Sequence, residues 1–366
     1  MASIINASSS GSGGIVQTAD ASGVLQLQSN GTTQATISST GLALGTGTTI
    51  NAANTFGFKN RLINGGMGID QRNAGASYTA TTGGLRYGVD RFFIYCTGAN
   101  LTGQQVAGTN TGTQKAFRIT GATGSTLCNF AQRIEATNIY DTASATVTIS
   151  VKVYCSTSIS GVSIYVLNPT ATDNYASTTT AISTGITLNS GLNTITVSGT
   201  NGANGIYGAE VGLAFSSGIG NGVSVDVGNF QIELGSQATS FDFRSYGTEL
   251  ALCQRYFETL TSVGGSSVYV NFLNGGANSA TQARYVYNYQ VQKRSYPSVT
   301  FTTASGFSTQ KGDDSLTTCT ALVSEHLGIN SCQVTTTVAS GLTAGATSRL
   351  ISNGVSTAVI SCSAEL

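Results

Sequence analysis

An all-β fold is what this 366-residue sequence predicts, and three observations predict it. Gly, Ser and Thr number 46, 44 and 53, together about two-fifths of the chain, a composition that supplies turns and short pleated strands rather than long helices. Val, Ile, Tyr and Phe recur in short runs separated by Gly, Asn and Thr. Charged residues make up 9%, against about a quarter in ordinary soluble proteins, too few for the Glu- and Lys-rich outer faces of a helical or coiled-coil protein.

Composition also bounds function. The formal net charge is zero, so no basic excess exists to bind nucleic acid by counterion release. A neutral surface tends to associate, which implies burial against copies of the chain and a remaining surface kept wet by Ser, Thr and Asn. The start, MASIINASSSGSGG, has no Lys or Arg ahead of an apolar stretch, and no run reaches the length of a membrane helix; the expectation is no signal peptide and no membrane insertion. Seven cysteines, Cys96, Cys128, Cys155, Cys253, Cys319, Cys332 and Cys362, form no CxxC pair and read as small buried hydrophobes of a protein made in a reducing cytosol. With one His and no clustered ligand spacing, neither a metal nor another cofactor is expected.

In chain order, residues 1–57 hold one ionisable side chain, Asp20. Leu25 and Leu27 alternate with Gln, Asn30-Gly31 offers a tight turn, and Ala35 and Ile37 alternate again: a hairpin. Leu42-Ala43-Leu44 follows, ahead of a Gly/Thr-rich stretch. So few apolar residues cannot bury a core alone. From Phe58 charges and aromatics appear, and residues 58–246 read as a jelly-roll sandwich of roughly eight strands, clearest at 115–120, 145–154, 162–167, 192–197, 209–215 and 223–234. No Lys or Arg lies between Lys152 and Arg244, a second argument against nucleic acid.

Residues 247–260 are expected to be a short connector helix, with Leu250, Cys253, Phe257 and Leu260 on one face, Thr248 as N-cap and Glu249 at the positive end. It serves either as a core helix or as a link packed on copies of itself. Residues 261–366 form a C-terminal β-sandwich, with strands expected at 268–272, 283–292, 298–303, 316–322, 333–338 and 358–363. Period two puts Tyr285, Tyr287, Tyr289 and Val291 on one face, either packed into a core or exposed as an aromatic platform for sugars or a partner. Asn274–Asn278 and Lys311–Asp314 read as exposed loops.

Catalytic patterns are sparse. There is no Gly-x-Ser-x-Gly elbow, P-loop or GxGxxG. His326, the single His, reads as an ordinary loop residue. Adjacent Asp313 and Asp314 read as a solvated turn rather than a glycosidase pair. Asp70 and Asp90 stand near Arg72 and Arg91 in sequence, which points to ion pairing. No catalytic, cofactor-binding or metal residue is assigned, and no receptor-binding residue.

Three stretches carry a resemblance. Asn60-Arg61-Leu62-Ile63-Asn64-Gly65-Gly66-Met67, then Ile69-Asp70-Gln71-Arg72-Asn73 and Tyr87-Gly88-Val89-Asp90-Arg91-Phe92, open the second block. Gln231-Ile232-Glu233-Leu234-Gly235, Ala238-Thr239-Ser240-Phe241-Asp242, Arg244-Ser245-Tyr246-Gly247 and Cys253-Gln254-Arg255-Tyr256 close it. Together they resemble a phage tail-fibre and virion-protein family with a carbohydrate-binding-like jelly roll. The segment from Gly31 to Gly45 looks like fibre-shaft or attachment pieces, and Lys293–Thr300 with Ser363–Leu366 is similar to the distal tip. Phe92 stands where Trp is commoner and Gly66 where an acid is commoner, and no C-terminal chaperone segment follows, which leaves the trimerisation mechanism open.

The resemblance implies a structural virion protein, assembled in the host cytoplasm. Its expected form is a homotrimeric tail fibre that joins tail, baseplate or capsid proteins through residues 1–57 and adsorbs to a host-surface glycan or protein through residues 261–366. A decoration or bridging protein without receptor binding is the alternative, and a polysaccharide-depolymerising tailspike a further one. The expectation is no enzyme activity.

Overall fold

The computed structural model describes residues 3–8, 14–18, 22–39, 41–44, 58–262 and 268–366. Asp20 and the Gly/Thr-rich stretch after Leu44 lie outside them. The chain separates into two compact units, residues 1–56 and 57–366.

The first unit contains β1 (Ser3–Ser8), β2 (Gly14–Thr18), β3 (Leu25–Ser29), β4 (Thr32–Ser38) and β5 (Gly41–Leu44), in spatial order β2-β1-β3-β4-β5. The expected hairpin joins β3 to β4. Asn30 and Gly31 both take left-handed φ, 50° and 76°, as a two-residue type I′ turn requires. Leu25 faces Ile37, Leu27 faces Ala35, and Ile37 faces Leu42. Residues paired across strands share a face, so an apolar stripe forms, and Leu27, Ile37 and Leu42 on it are exposed. In this unit the residues of described burial, 4–5, 22–39 and 41–43, are all exposed or half-buried.

The second unit opens with β6 (Tyr78–Ala80), β7 (Arg86–Tyr87), β8 (Phe92–Thr97), β9 (Leu101–Ala107), β10 (Lys115–Thr120), β11 (Leu127–Ile134), β12 (Thr146–Cys155), β13 (Ile159–Ala171), β14 (Asn174–Leu188), β15 (Gly191–Thr200), β16 (Ala209–Phe215) and β17 (Ser224–Leu234). Two antiparallel six-stranded sheets result, β15-β12-β17-β10-β9-β6 and β14-β13-β16-β11-β8-β7, a jelly-roll-type sandwich. Between them Phe92 stacks on Phe130 at 5.1 Å between ring centroids, and Phe130 on Phe117 at 5.2 Å. Phe92 is fully buried, so it keeps an aromatic core position. The strand count exceeds the eight expected. The long β14 escapes sequence reading because its Ser and Thr are mostly exposed and give no apolar alternation.

The helix is shorter than expected. It spans α1 (Tyr246–Gln254), with Ser245 rather than Thr248 at the N-cap, and Cys253 packs with Ile63, Ile69 and Tyr256 in a satellite core of its own chain. Phe257 and Leu260 belong instead to β18 (Phe257–Thr261), because pairing with the last strand satisfies that backbone on a sheet.

The remaining strands are β19 (Asn271–Ala277), β20 (Gln282–Asn288), β21 (Ser298–Phe301), β22 (Phe307–Lys311), β23 (Leu316–Glu325), β24 (Ser331–Val338), β25 (Thr347–Ser352) and β26 (Val359–Ser363). Where two facing sheets were expected, six strands close into a barrel, β19-β20-β24-β23-β22-β25, beside a three-stranded sheet β18-β26-β21. Asn274–Ala277, expected in a loop, lies within β19. Gly275 permits it: a Cβ there would stand 2.0 Å from the Arg284 carbonyl oxygen and 2.8 Å from the Tyr285 ring. The tyrosine face turns inward. Tyr285, Tyr287 and Tyr289 are buried in the barrel core, which decides for packing over an aromatic platform.

Candidate binding sites

The stretches that carry the resemblance turn out to be structural pins. Asn60 Oδ1 accepts from Leu62 N and Ile232 N at 3.0 and 3.1 Å, while its Nδ2 donates to the Phe230 carbonyl. Asn64, at a left-handed φ of 60°, donates to the carbonyls of Ile69 and Asp90 at 2.8 and 2.9 Å. Glu233 accepts from Gln231, from Thr239 N and from Thr239 Oγ1, and Gln231 Oε1 accepts from Asp242 N. Asn60 thereby ties the start of the jelly roll to its end, while Asn64 is satisfied within the opening stretch and Glu233 and Gln231 within the closing one.

A second set joins the jelly roll to the C-terminal strands. Asp90 accepts from Gln71 N at 3.0 Å and stands 3.7 Å from Arg72. Its carboxyl is raised above the ordinary range, desolvation outweighing the opposing pull of Arg72. Arg91 pairs with Glu365, not with Asp70 or Asp90 as sequence proximity suggested, and Arg72 reaches the same Glu365 at 3.1 Å. Asp70 instead accepts backbone hydrogen bonds from Asn73 and Gly75. Glu135 binds Arg255 and the Tyr256 hydroxyl, and Glu258 takes Lys293 at 2.7 Å and the Tyr287 hydroxyl at 2.7 Å. The carboxylates of Asp90, Glu135 and Glu258 are buried and committed to these partners.

Free charge gathers elsewhere, at one end of the barrel. Lys311 ends β22 opposite Ser348 of β25, and Gly275 of β19 lies across from the same Ser348. A groove of about 230 Å³ runs there, lined by Asn274, Gln310, Lys311, Asp314, Ser348 and Arg349. A neighbouring hollow of about 290 Å³, bordered by Asp313 and Leu342, shares Lys311 and Ser348. Lys311 and Arg349 form no ion pair among the described residues. Ser348 Oγ is buried without a hydrogen-bond partner; the Tyr285 phenol beside it already donates to Thr309 at 3.1 Å. Amides, a hydroxyl and charges of both signs on one rim can hydrogen-bond several hydroxyls of one ligand.

The residues weighed for catalysis stay apart. Asp313 accepts from Ser315 N at 3.0 Å and from Ser315 Oγ at 2.5 Å, which lowers its carboxyl below the usual range. Asp314 sits in the same turn at φ 61°, and His326 sits exposed at a bend after β23 at φ 49°. The seven cysteines are all free and buried. Among the described residues no cluster of His, Cys, Asp and Glu has metal-site geometry, and no helix is long and apolar enough to cross a membrane.

These two sheets and the barrel define an all-β, jelly-roll-type protein. No family model matches the chain, and no curated protein matches it. Solved structures do. One is the enzymatically active domain of tailspike protein 4 of bacteriophage CBA120, 16% identical with a TM-score of 0.34 over 48% of this chain and 22% of that one. Another is the family 11 carbohydrate-binding module of Clostridium thermocellum, 13% identical with a TM-score of 0.29 over 42% of this chain and 96% of the module. The second xylan-binding family 22 module of Paenibacillus barcinonensis Xyn10C is 12% identical, with a TM-score of 0.28 over 39% of this chain and 91% of the module. The match thus spans about a fifth of the tailspike's length.

Proposed function

We propose that the chain is a structural protein of a bacteriophage virion, a homotrimeric tail fibre attached through residues 1–57 that adsorbs to a host-surface glycan through residues 261–366. The observation that carries the glycan reading is the barrel rim, where the Lys311, Arg349 and Gln310 side chains carry no hydrogen bond or ion pair among the described residues and stand with Asn274 around the buried Ser348 hydroxyl. Trimer formation is supported by the first unit, whose apolar stripe of Leu27, Ile37 and Leu42 stays exposed in one chain. In a trimer each weak rim site is presented three times, and avidity replaces single-site affinity. A non-enzymatic role completes the proposal.

The test is competition for adsorption. Purified full-length protein should block adsorption of the phage that encodes it, and Lys311→Ala/Arg349→Ala should lose at least tenfold in blocking potency. Equal potency of the double variant removes the rim as the receptor site. Failure of the wild-type protein to block at all favours a decoration or bridging role, and release of reducing ends from host polysaccharide would establish an enzyme.

A further inference from the structure

A second groove lies in the jelly roll and shares no residue with the barrel rim. It is a shallow, partly open groove of about 120 Å³ between the Asn64–Ile69 segment and the Phe241–Glu249 segment. Phe243 and Tyr246 flank it with 70% and 69% of their surface exposed. Phe243 meets Phe241 edge to face, with centroids 4.9 Å apart.

Glycines keep this wall open. A Cβ on Gly66 would stand 3.5 Å from the Phe241 ring, and a Cβ on Gly68 would meet nothing within 4 Å. Polar groups complete the lining. The side-chain amides of Gln114 and Asn229 have no hydrogen-bond partner among the described residues. Arg244, with a side chain only 6% exposed, has an Nε that is buried and unpartnered.

We propose that this groove binds a neutral oligosaccharide. Ile69 is the one aliphatic side chain in the lining, and the rest of its apolar surface is aromatic. Aromatic faces carry negative charge density and attract the polarised C–H faces of sugar rings. Amides offer a donor and an acceptor side by side, matching the hydroxyl pairs on a sugar edge. The inference stands independently of the barrel rim and of a virion role.

The probes are cellohexaose, xylohexaose, maltohexaose and chitohexaose, tested on the full chain by saturation-transfer NMR and calorimetry. Two variants remove the site differently: Phe243→Ala/Tyr246→Ala deletes the rings, and Gly68→Trp fills the groove from a position with open space. Binding of at least one probe is expected, weakened at least tenfold in both variants at unchanged melting temperature and retained in Lys311→Ala/Arg349→Ala. No binding of any probe overturns the proposal, as does undiminished binding in either groove variant. Loss only in the rim variant overturns it while leaving the adsorption reading intact.

Discussion

The Arg91 guanidinium carbon stands 3.5 Å from the centre of the Tyr256 ring. The same guanidinium pairs with Glu365 and donates to the Arg133 carbonyl, so one jelly-roll side chain holds both the helix exit and the last residues of the chain. Breaking a buried pair leaves the partner charge desolvated and alone. Arg91→Ala is therefore expected to lower stability by about 3–5 kcal/mol. Arg91→Lys should recover only part, because an ammonium cannot stack and fork as guanidinium does. Urea midpoints followed by circular dichroism would check this, and a loss below about 1 kcal/mol would contradict the account of the junction, that figure being the ceiling for an exposed pair.

Two glycines in one motif should behave oppositely. A Cβ on Gly65 would fall 2.1 Å from the Phe230 carbonyl oxygen and 2.8 Å from Asn60 Nδ2, while one on Gly68 meets open space. Gly65→Ala must push β17 away from the opening segment, and a loss of about 2 kcal/mol or more is expected. Gly68→Ala should be neutral within about 0.5 kcal/mol. Melting temperatures of the two variants side by side decide it.

Buried thiols predict alkaline sensitivity. Burial pushes Cys155 and Cys319 up to about 11 and Cys362 up to about 12 from an ordinary 9.0. Below pH 9 both folded and unfolded chains keep these protons and the stability is complete. Above it the unfolded chain releases them first, so stability should fall by about 1.4 kcal/mol per pH unit per thiol until the folded values are passed. Urea midpoints at pH 8, 9, 10 and 11 would show the slope, reduced in Cys155→Ala/Cys319→Ala/Cys362→Ala. Native protein should also resist a thiol reagent at pH 8 that labels all seven cysteines once unfolded.

Glu258 ties the three-stranded sheet to the barrel through Lys293 and Tyr287. Lys293→Met strands a buried carboxylate and is expected to cost about 3–5 kcal/mol. Adding Glu258→Gln should return most of that loss, since no net charge then remains buried. Tyr287→Phe should cost about 1.5–3 kcal/mol, the worth of a hydrogen bond to a charged group. A double-mutant cycle at positions 258 and 293 measures the coupling.

Particular residues show how much was legible from sequence. Asn30-Gly31 gave the first hairpin because its φ requirement is local. Lys115–Thr120 and Ala209–Phe215 appear as strands with the expected bounds, because each is short, apolar and isolated by turns. The β14 strand was invisible because its exposed hydroxyl residues carry no periodicity, and the helix was overextended because Phe257 and Leu260 keep a helical spacing while pairing as strand. The binding rim was split: Lys311–Asp314 was read as an exposed loop, but Ser348 and Arg349 gave no sign of joining it.

By itself the sequence determined an all-β chain, almost free of charge, with an Asn-Gly hairpin in a segment too poor in apolar residues to hold a core. Those properties are sums over composition or follow from neighbouring residues. Tertiary structure alone decided that the last six-stranded sheet closes on itself, that Arg91 finds Glu365 across 274 positions of sequence, and that Lys311 and Arg349 have no ion-pair partner among the described residues beside a buried hydroxyl. Closure and pairing depend on which distant strands share a register, and register is fixed by packing across the whole chain.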